Sequence, residues 1–473
     1  MPPRRPNVLL IVADDHAANA VGAYGSILTN TPNIDAIAAA GVRFDRCFAA
    51  NSLCAPSRAS ILTGTHSHVN GVTTLRTPFD SRQPTFVSIL HDAGYRTAVF
   101  GKWHLGDAPE HDPQAFDDWA VLIDQGDYRD PLFRTPRGEE THPGYTTDVV
   151  TDLALRWLDR QDGDSPWCLL VHHKAPHRPW QPDERHRERV ERQYGVPRTF
   201  SDDLATRSAS ARHARMRTAD DLTPEDLKHD APPGLDDEAL ALWRLQRFLE
   251  DYLRCVASLD ENVGRMRSAV AARGEADDTL VLYTSDQGLF LGEHGWFDKR
   301  FMYEESIRMP LVLSLPRVLR GGRVHDGLTS NVDLAQTILD AAGAPHDPRM
   351  QGRSAWPDLL GRADTPPARG LYYRYWEHDD PSHHVPAHYG WRTDRYKLLY
   401  FYNDGMGLPG TGDWAHEPEW ELYDLEADPD EVRNVVDEPV HAAALATLKA
   451  ELWREQARLG DAPHPSQPRP PGV

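Results

Sequence analysis

The run Asn7-Val8-Leu9-Leu10-Ile11-Val12-Ala13, apolar without interruption and closed by Asp14-Asp15, constrains the fold more than any other stretch of this chain. A strand with one wet face alternates apolar and polar residues. A strand without alternation is covered on both faces, the situation of a parallel sheet between two layers of helices. Similar runs occupy Thr97 to Phe100, Trp167 to Val171, Leu280 to Thr284 and Leu311 to Leu315, and Val42 to Phe44 reads as a brief strand. Between them, helical spacing is read at Asn33 to Ala40, Phe86 to Ala93, Thr146 to Arg160, Asp236 to Ala272 (with room for one break) and Asp333 to Ala342, which Gly343 ends. The alternation predicts an α/β fold: a large, mainly parallel sheet sandwiched by helices. The polar, charged stretch from Pro182 to about Gly234 reads as a long, partly helical excursion over the surface.

At 473 residues the chain exceeds the usual single core. The composition shifts near Gly361 to Pro367. Beyond it, Leu371 to Trp376, Tyr396 to Tyr402 and Glu421 to Tyr423 read as short, aromatic-rich antiparallel strands, and Val440 to Gln456 as a closing helix. The expected division is an α/β domain over 1–364, a smaller C-terminal antiparallel α+β subdomain over 365–460, and a Pro-rich tail over 461–473, disordered or hugging the surface.

Lys plus Arg number 51 and Asp plus Glu 72, a formal charge of −21. That balance argues against nucleic acid and anionic membrane surfaces as partners. The four cysteines show no CxxC spacing, and Cys47, Cys168 and Cys255 sit in apolar surroundings as small hydrophobes. Arg4-Arg5 could open a twin-arginine export signal, but the apolar run behind it stops at Asp14-Asp15 with no cleavage-like site. No segment reaches the roughly 20 apolar residues of a membrane span. The expectation is a cytoplasmic protein.

Chemistry-bearing residues gather where strands end. Asp14 and Asp15 follow the first strand, and Asp286 and Gln287 follow Leu280 to Thr284. In an open α/β sheet, ligands collect beyond the carboxyl ends of strands. Hard oxygen donors there suit Ca²⁺ or Mg²⁺, although an isolated Asp-Asp pair is more often a turn or helix cap, and it is the pairing with Asp286-Gln287 that shifts the reading. An acidic chain that handles an anion must concentrate its cations locally. Lys102 and His104 straddle Trp103, and alternation in an extended segment would send both to one side. Lys174 and His177 follow the strand Trp167 to Val171, and Lys299 lies in Trp296-Phe297-Asp298-Lys299-Arg300. In Cys54-Ala55-Pro56-Ser57-Arg58, Pro56 and Ser57 suit the first turn of a helix toward Thr63, and Arg58 falls one turn beyond Cys54. Read alone, Cys54 could be a buried thiol and each lysine a solvated charge.

Together these blocks resemble the type I sulfatases of the alkaline phosphatase superfamily. Cys54-Ala55-Pro56-Ser57-Arg58 is similar to that family's signature, and Gly101-Lys102-Trp103-His104-Leu105-Gly106 to its second signature. The block Ser285-Asp286-Gln287-Gly288 through Gly295 resembles most the bacterial and lysosomal enzymes acting on sulfated sugars. The resemblance spans roughly Asn7 to Leu452. Gln287 departs from the usual Asn or His; its amide oxygen can still coordinate, on a stem one methylene longer than that of Asn.

The resemblance implies that a formylglycine-generating enzyme oxidises Cys54 to formylglycine. Ca²⁺, or Mg²⁺, would be bound by Asp14, Asp15, Asp286, Gln287 and position 54. Arg58, Lys102, Lys174 and Lys299 would hold the sulfate. One hydroxyl of the aldehyde hydrate would attack sulfur while His177 or Lys299 protonates the departing alcohol. His104 would then deprotonate the second hydroxyl, expelling sulfate. The implied substrate is a sulfated saccharide or another sulfated small molecule such as an aryl sulfate. Tyr372, Trp376, Glu377, His378, His388, Tyr389 and Trp391 are candidates to meet a sugar, His388 foremost, although an aromatic-packed subdomain would also place them there. A phosphonate monoester or phosphodiester hydrolase on the same fold, and a catalytically silent binder of sulfated glycans, are the alternatives.

Overall fold

The computed structural model describes residues 5–187, 193–362 and 368–472. Every residue of the strand Asn7–Ala13 is buried. Val8, Leu10 and Val12 enter one core together with Leu170, Leu280 and Leu282. Leu9, Ile11 and Ala13 enter a second, with Val281, Tyr283 and the helix residues Leu259, Val263 and Met266. Two covered faces explain the missing alternation. Burial of each large aliphatic side chain is worth about 1.5–3 kcal/mol.

The central sheet has ten strands. Its order from one edge is Arg323–His325, Val42–Phe44, Leu311–Ser314, Thr279–Ser285, Asn7–Ala13, Trp167–His172, Arg96–Lys102, Asp118–Leu122, Leu132–Thr135 and Gly138–Thr141. The five strands from Thr279–Ser285 to Asp118–Leu122 are parallel. Leu311–Ser314 runs antiparallel to both its neighbours, and the last two strands form an antiparallel hairpin. The sheet is thus mixed and mostly parallel, with helices on both faces.

The stretch Asp237–Ala272 is one unbroken helix of 36 residues, where sequence left room for a break. Its Gly264 serves an approach: a Cβ there would stand 2.5 Å from Asn33 Oδ1, at the start of the helix Pro32–Ala40. Among the described residues no helix is long and apolar enough to cross a membrane.

The second sheet is four-stranded and antiparallel, in chain order Gly370–Tyr375, His388–Thr393, Tyr396–Phe401 and Glu419–Asp424. The strand beginning at His388 has no counterpart among the sequence-based strands. One face packs on the closing helix Ala442–Leu459. The other presents Tyr373, Tyr375, Leu399, Phe401 and Tyr423 to Phe301, Met302 and Tyr303 and to Leu53, the residue before Cys54. The boundary expected at 364 and Arg4 of the Arg4-Arg5 pair lie outside the described residues. The tail folds back: Asp461 takes Tyr372 Oη at 2.6 Å and Arg374 Nη1 at 2.5 Å. Among the described residues, the excursion after Pro182 is largely irregular, with short helices at Glu184–Arg187, Ala209–His213 and Pro224–Leu227.

Candidate active site

Four adjacent parallel strands deliver functional groups at their carboxyl ends. Thr279–Ser285 is followed by Asp286 and Gln287, Asn7–Ala13 by Asp14 and Asp15, and Trp167–His172 by Lys174 and His177; Arg96–Lys102 ends in Lys102, with His104 just beyond. The helix Cys54–Thr63 points its N-terminus into the same place, with every residue buried. Pro56 in its first turn forfeits no internal hydrogen bond, and the helix dipole favours negative charge beside Cys54.

Cys54 Sγ lies 3.3 Å from Asp14 Oδ1, 3.5 Å from Gln287 Nε2 and 3.4 Å from Lys299 Nζ. Lys299 Nζ reaches both oxygens of Asp15 at 2.6 Å, and His177 Nε2 stands 3.6 Å from Asp15 Oδ2. Lys102 donates to Asp14 and to Gln125. Arg58 donates from Nε to Asp286 Oδ2 at 3.0 Å and from Nη1 to the Lys102 carbonyl at 3.0 Å. Lys174 Nζ donates to the Gln125 carbonyl at 3.2 Å and sits 5.0 Å over the Tyr128 ring. Gly288 admits the backbone packed behind the acids, since a Cβ there would fall 2.1 Å from the Glu305 carbonyl.

Asp15, His104, Asp298 and Arg300 all hold positive φ, between 57° and 87°. Such backbone costs a non-glycine residue of order 1–3 kcal/mol and concentrates at functional sites. For His104 this corrects the expected route: left-handed backbone, not alternation along an extended segment, turns its ring to the site.

Burial and the charge of Asp14 push Asp286 up to about 7. Burial opposes ionisation of Asp14, yet Lys102 and the neighbouring cations outweigh it and hold this carboxyl well below the usual range. Burial and Asp14 push the Cys54 thiol up, so an unmodified sulfur is neutral near pH 7 and a weak nucleophile. Burial and Lys102 bring His104 down to about 4 and Lys174 down to about 8. Burial holds His177 well below the ordinary imidazole range.

Carboxylate oxygens of Asp14, Asp15 and Asp286 lie within 4.8 Å of one another. Gln287 Oε1 is buried without a hydrogen-bond partner. Three acids and an orphaned amide oxygen are a donor set for a hard divalent cation, whose charge would relieve the repulsion that raises Asp286. The residues present fit such an ion.

A cavity of about 490 Å³ opens on this cluster. Cys54, His104, His177 and Lys299 line it, while Asp14, Asp15, Asp286, Gln287, Arg58, Lys102 and Lys174 are buried in contact with these or with one another. Arg58 therefore reaches Asp286 rather than the open space. Asp298, Arg300, Glu377, Asp380, His383 and Arg76 form another part of the cavity wall. Arg300 binds Asp298 and Glu377 at 3.3 Å each, and His383 Nδ1 binds Asp380 at 2.9 Å. Sequence reasoning missed this wall, apart from Glu377, and missed Gln125. Asp298 and Arg300 were within reach, flanking Lys299; Gln125 and His383 sit in loops without a pattern.

His388 is a correction. It is fully buried among Phe301, Tyr373, Tyr375 and Phe401, binds the Pro386 carbonyl at 2.8 Å and does not line the cavity. Of the residues expected to meet a sugar, only Glu377 lines it.

Residues 6–344 match the family model described as Sulfatase, and 292–458 match that of N-sulphoglucosamine sulphohydrolase, C-terminal. The chain is 38% identical over 504 residues to N-acetylglucosamine-6-O-sulfatase of Bacteroides thetaiotaomicron, covering 97% of this chain and 87% of that protein. It superposes with a TM-score of 0.88 and 38% identity on the structure of BT4656 in complex with its substrate D-glucosamine-2-N,6-O-disulfate, covering 98% of this chain and all of that one. A phosphonate monoester hydrolase of Agrobacterium radiobacter shares the fold at TM-score 0.74 and 23% identity, covering 96% of each chain. With strand-end acids, a helix-borne cysteine and full-length likeness in agreement, the chain belongs to the sulfatase family and is a sulfuric ester hydrolase.

Proposed function

We propose that this sulfatase removes a 6-O-sulfate from glucosamine or N-acetylglucosamine, using a formylglycine made from Cys54 by a formylglycine-generating enzyme. The observation that carries the reading is the position of the Cys54 sulfur, at a helix N-terminus between Asp14, Gln287 and Lys299. The relative at 38% identity along nearly the whole chain, an N-acetylglucosamine-6-O-sulfatase, supports the choice of sugar. The wall of Asp298, Arg300 and Glu377 supports it, offering carboxylates and a guanidinium to sugar hydroxyls in the cavity that Cys54 also lines.

Asp14, Asp15, Asp286 and Gln287 would hold the ion. We assign Ca²⁺ in preference to Mg²⁺, because an all-protein cage of oxygens suits the larger, less strictly octahedral cation. Bound there, the ion would supply Lewis acidity, making a nearby hydroxyl more acidic. A formylglycine at position 54, once hydrated, would offer two hydroxyls: one to attack sulfur, displacing the alcohol, and one whose deprotonation would expel sulfate and restore the aldehyde.

The chain's own residues do the rest. Lys299 and Lys102, with Lys174 behind them, set a positive field for the sulfate oxygens and for charge that grows on transfer. Arg58 positions Asp286 and the end of the strand bearing Lys102. His177, neutral near pH 7 and fixed by its Nδ1–H on the Arg178 carbonyl at 2.7 Å, turns an accepting Nε2 toward the cavity, and the proton for the leaving alcohol comes from the Lys299 ammonium. His104, neutral at pH 7, accepts the proton of the second hydroxyl.

The test is release of inorganic sulfate from N-acetylglucosamine-6-sulfate, compared with a matched aryl sulfate and aryl phosphonate. The proposal expects kcat/KM for the sugar to lead by about 10⁴-fold, the scale of a site built to bind hydroxyls. Preference for the phosphonate would replace the proposal with a phosphonate hydrolase on this fold.

A further inference from the structure

Outside the catalytic cluster, His213, Asp379 and His384 bring ligand atoms within 4.8 Å of one another. His213 closes the short helix Ala209–His213, part of the excursion that leaves the α/β layer. Asp379 and His384 lie in the loop between the strands Gly370–Tyr375 and His388–Thr393. His213 Nε2 stands 3.0 Å from Asp379 Oδ1, and His384 Nδ1 stands 2.8 Å from the same oxygen. The two imidazoles are edge to face, 77° apart with centroids at 5.7 Å, so their nitrogens converge instead of stacking.

Trp414 fixes two of the three ligands. Its ring stacks on His213 at 3.9 Å and 10°, and its backbone N–H donates to Asp379 Oδ2 at 3.0 Å. The second carboxylate oxygen is thereby engaged, and Oδ1 is left to the histidines. The side chains are 26%, 10% and 37% exposed for His213, Asp379 and His384, so the cluster is held by packing yet open to solvent on one side. Three protein ligands and an open fourth position are the arrangement of a tetrahedral ion that keeps a water.

We propose that His213, Asp379 and His384 form a second metal site, separate from the catalytic one, that takes Zn²⁺ or a chemically similar transition ion. The donor sets separate the two sites. Two imidazoles and one carboxylate favour Zn²⁺, Co²⁺ or Ni²⁺, whereas the oxygen cage around Asp14 favours Ca²⁺. The site also has a consequence for the cavity. Asp380 and His383, in the same loop as two of the ligands, line the cavity wall, and Gly410 and Thr411 line it just before Trp414. An ion at this point staples the excursion and the loop behind that wall, so it positions the wall without touching substrate.

The experiment uses tag-free full chain held in saturating Ca²⁺ to block the catalytic cage. Calorimetric titration with Zn²⁺ is expected to show one ion per chain. His213→Ala and His384→Ala are each expected to weaken it by about tenfold or more, the scale of a disturbed metal site. Zn²⁺ should raise the Tm of the wild type and leave that of the variants unchanged. Crystals soaked in Zn²⁺ provide a check without substitutions: an anomalous peak between the three side chains is expected. Zn²⁺ uptake that both variants leave intact, no uptake beyond the Ca²⁺-blocked cage, or an anomalous peak elsewhere would overturn the proposal.

Discussion

Lys299 holds both carboxylate oxygens of Asp15 at 2.6 Å, and the same ammonium stands 3.4 Å from the Cys54 sulfur. One charge thus serves a candidate metal ligand and the candidate nucleophile. Burial works against that charge, but the carboxylates of Asp15, Asp298 and Asp14 outweigh it and keep the ammonium well above the usual lysine range. Lys299→Met should lower kcat by about 10²–10³, the scale of losing one preorganised donor to developing charge. Steady-state kinetics at saturating Ca²⁺ checks this, and a variant within threefold of wild type would remove Lys299 from the reaction.

Arg58 and Asp286 form a fully buried pair, 3.0 Å apart. Arg58→Leu leaves Asp286 among carboxylates with no guanidinium, and breaking such a pair costs about 3–5 kcal/mol. Denaturant unfolding without divalent ions should show that loss. Saturating Ca²⁺ should restore part of it by binding the native state.

The pH profile should carry a basic limb from Lys174. Its ammonium is brought down to about 8, so charge is present below that pH and lost above it. The sulfate ester does not titrate in this range. kcat/KM, which reports the free enzyme, should therefore fall about tenfold per unit above pH 8. Lys174→Met should be slower at pH 7 and show no such limb; a limb that survives in this variant belongs to another group.

Gln287 offers Oε1 with no hydrogen-bond partner while its Nε2 donates to Asp15. Gln287→Leu removes that oxygen at similar size. The Ca²⁺ concentration for half-maximal activity should rise by about 10–100-fold, the scale of disturbing a metal's close partners. An unchanged Ca²⁺ requirement would show that Oε1 is no ligand.

His388 shows what the sequence conceals. Its strand is covered on both faces, by Phe301 and its neighbours on one side and by the closing helix on the other. No polar–apolar alternation marks which way a residue points, and Tyr389 and Trp391 turn to the helix side for the same reason. His388→Phe, placed in an aromatic cluster, should leave kcat/KM within about twofold, as expected of a core substitution that touches no reacting group. The strand-end positions of Asp14, Asp15, Asp286, Lys102, Lys174 and His177 were legible because buried parallel strands announce themselves by unbroken apolar runs, and the residues just after each run fall at a carboxyl end. Arg58 and Lys299 follow no such run and were read from the resemblance. Gln125, Asp380 and His383 were not, because they come from loops that only tertiary packing brings to the cavity. The unbroken helix through Gly264 was hidden likewise, since its glycine answers to Asn33 on another element.

The claim on which the account turns is the identity of the group at position 54. Mass spectrometry of the tryptic peptide from Cys47 to Arg58, in protein produced with a formylglycine-generating enzyme, tests it directly. The account predicts that the peptide carries an aldehyde in place of the Cys54 CH2–SH, in a fraction that rises and falls with specific activity across preparations. Full sulfatase activity in protein whose Cys54 is wholly thiol would contradict it.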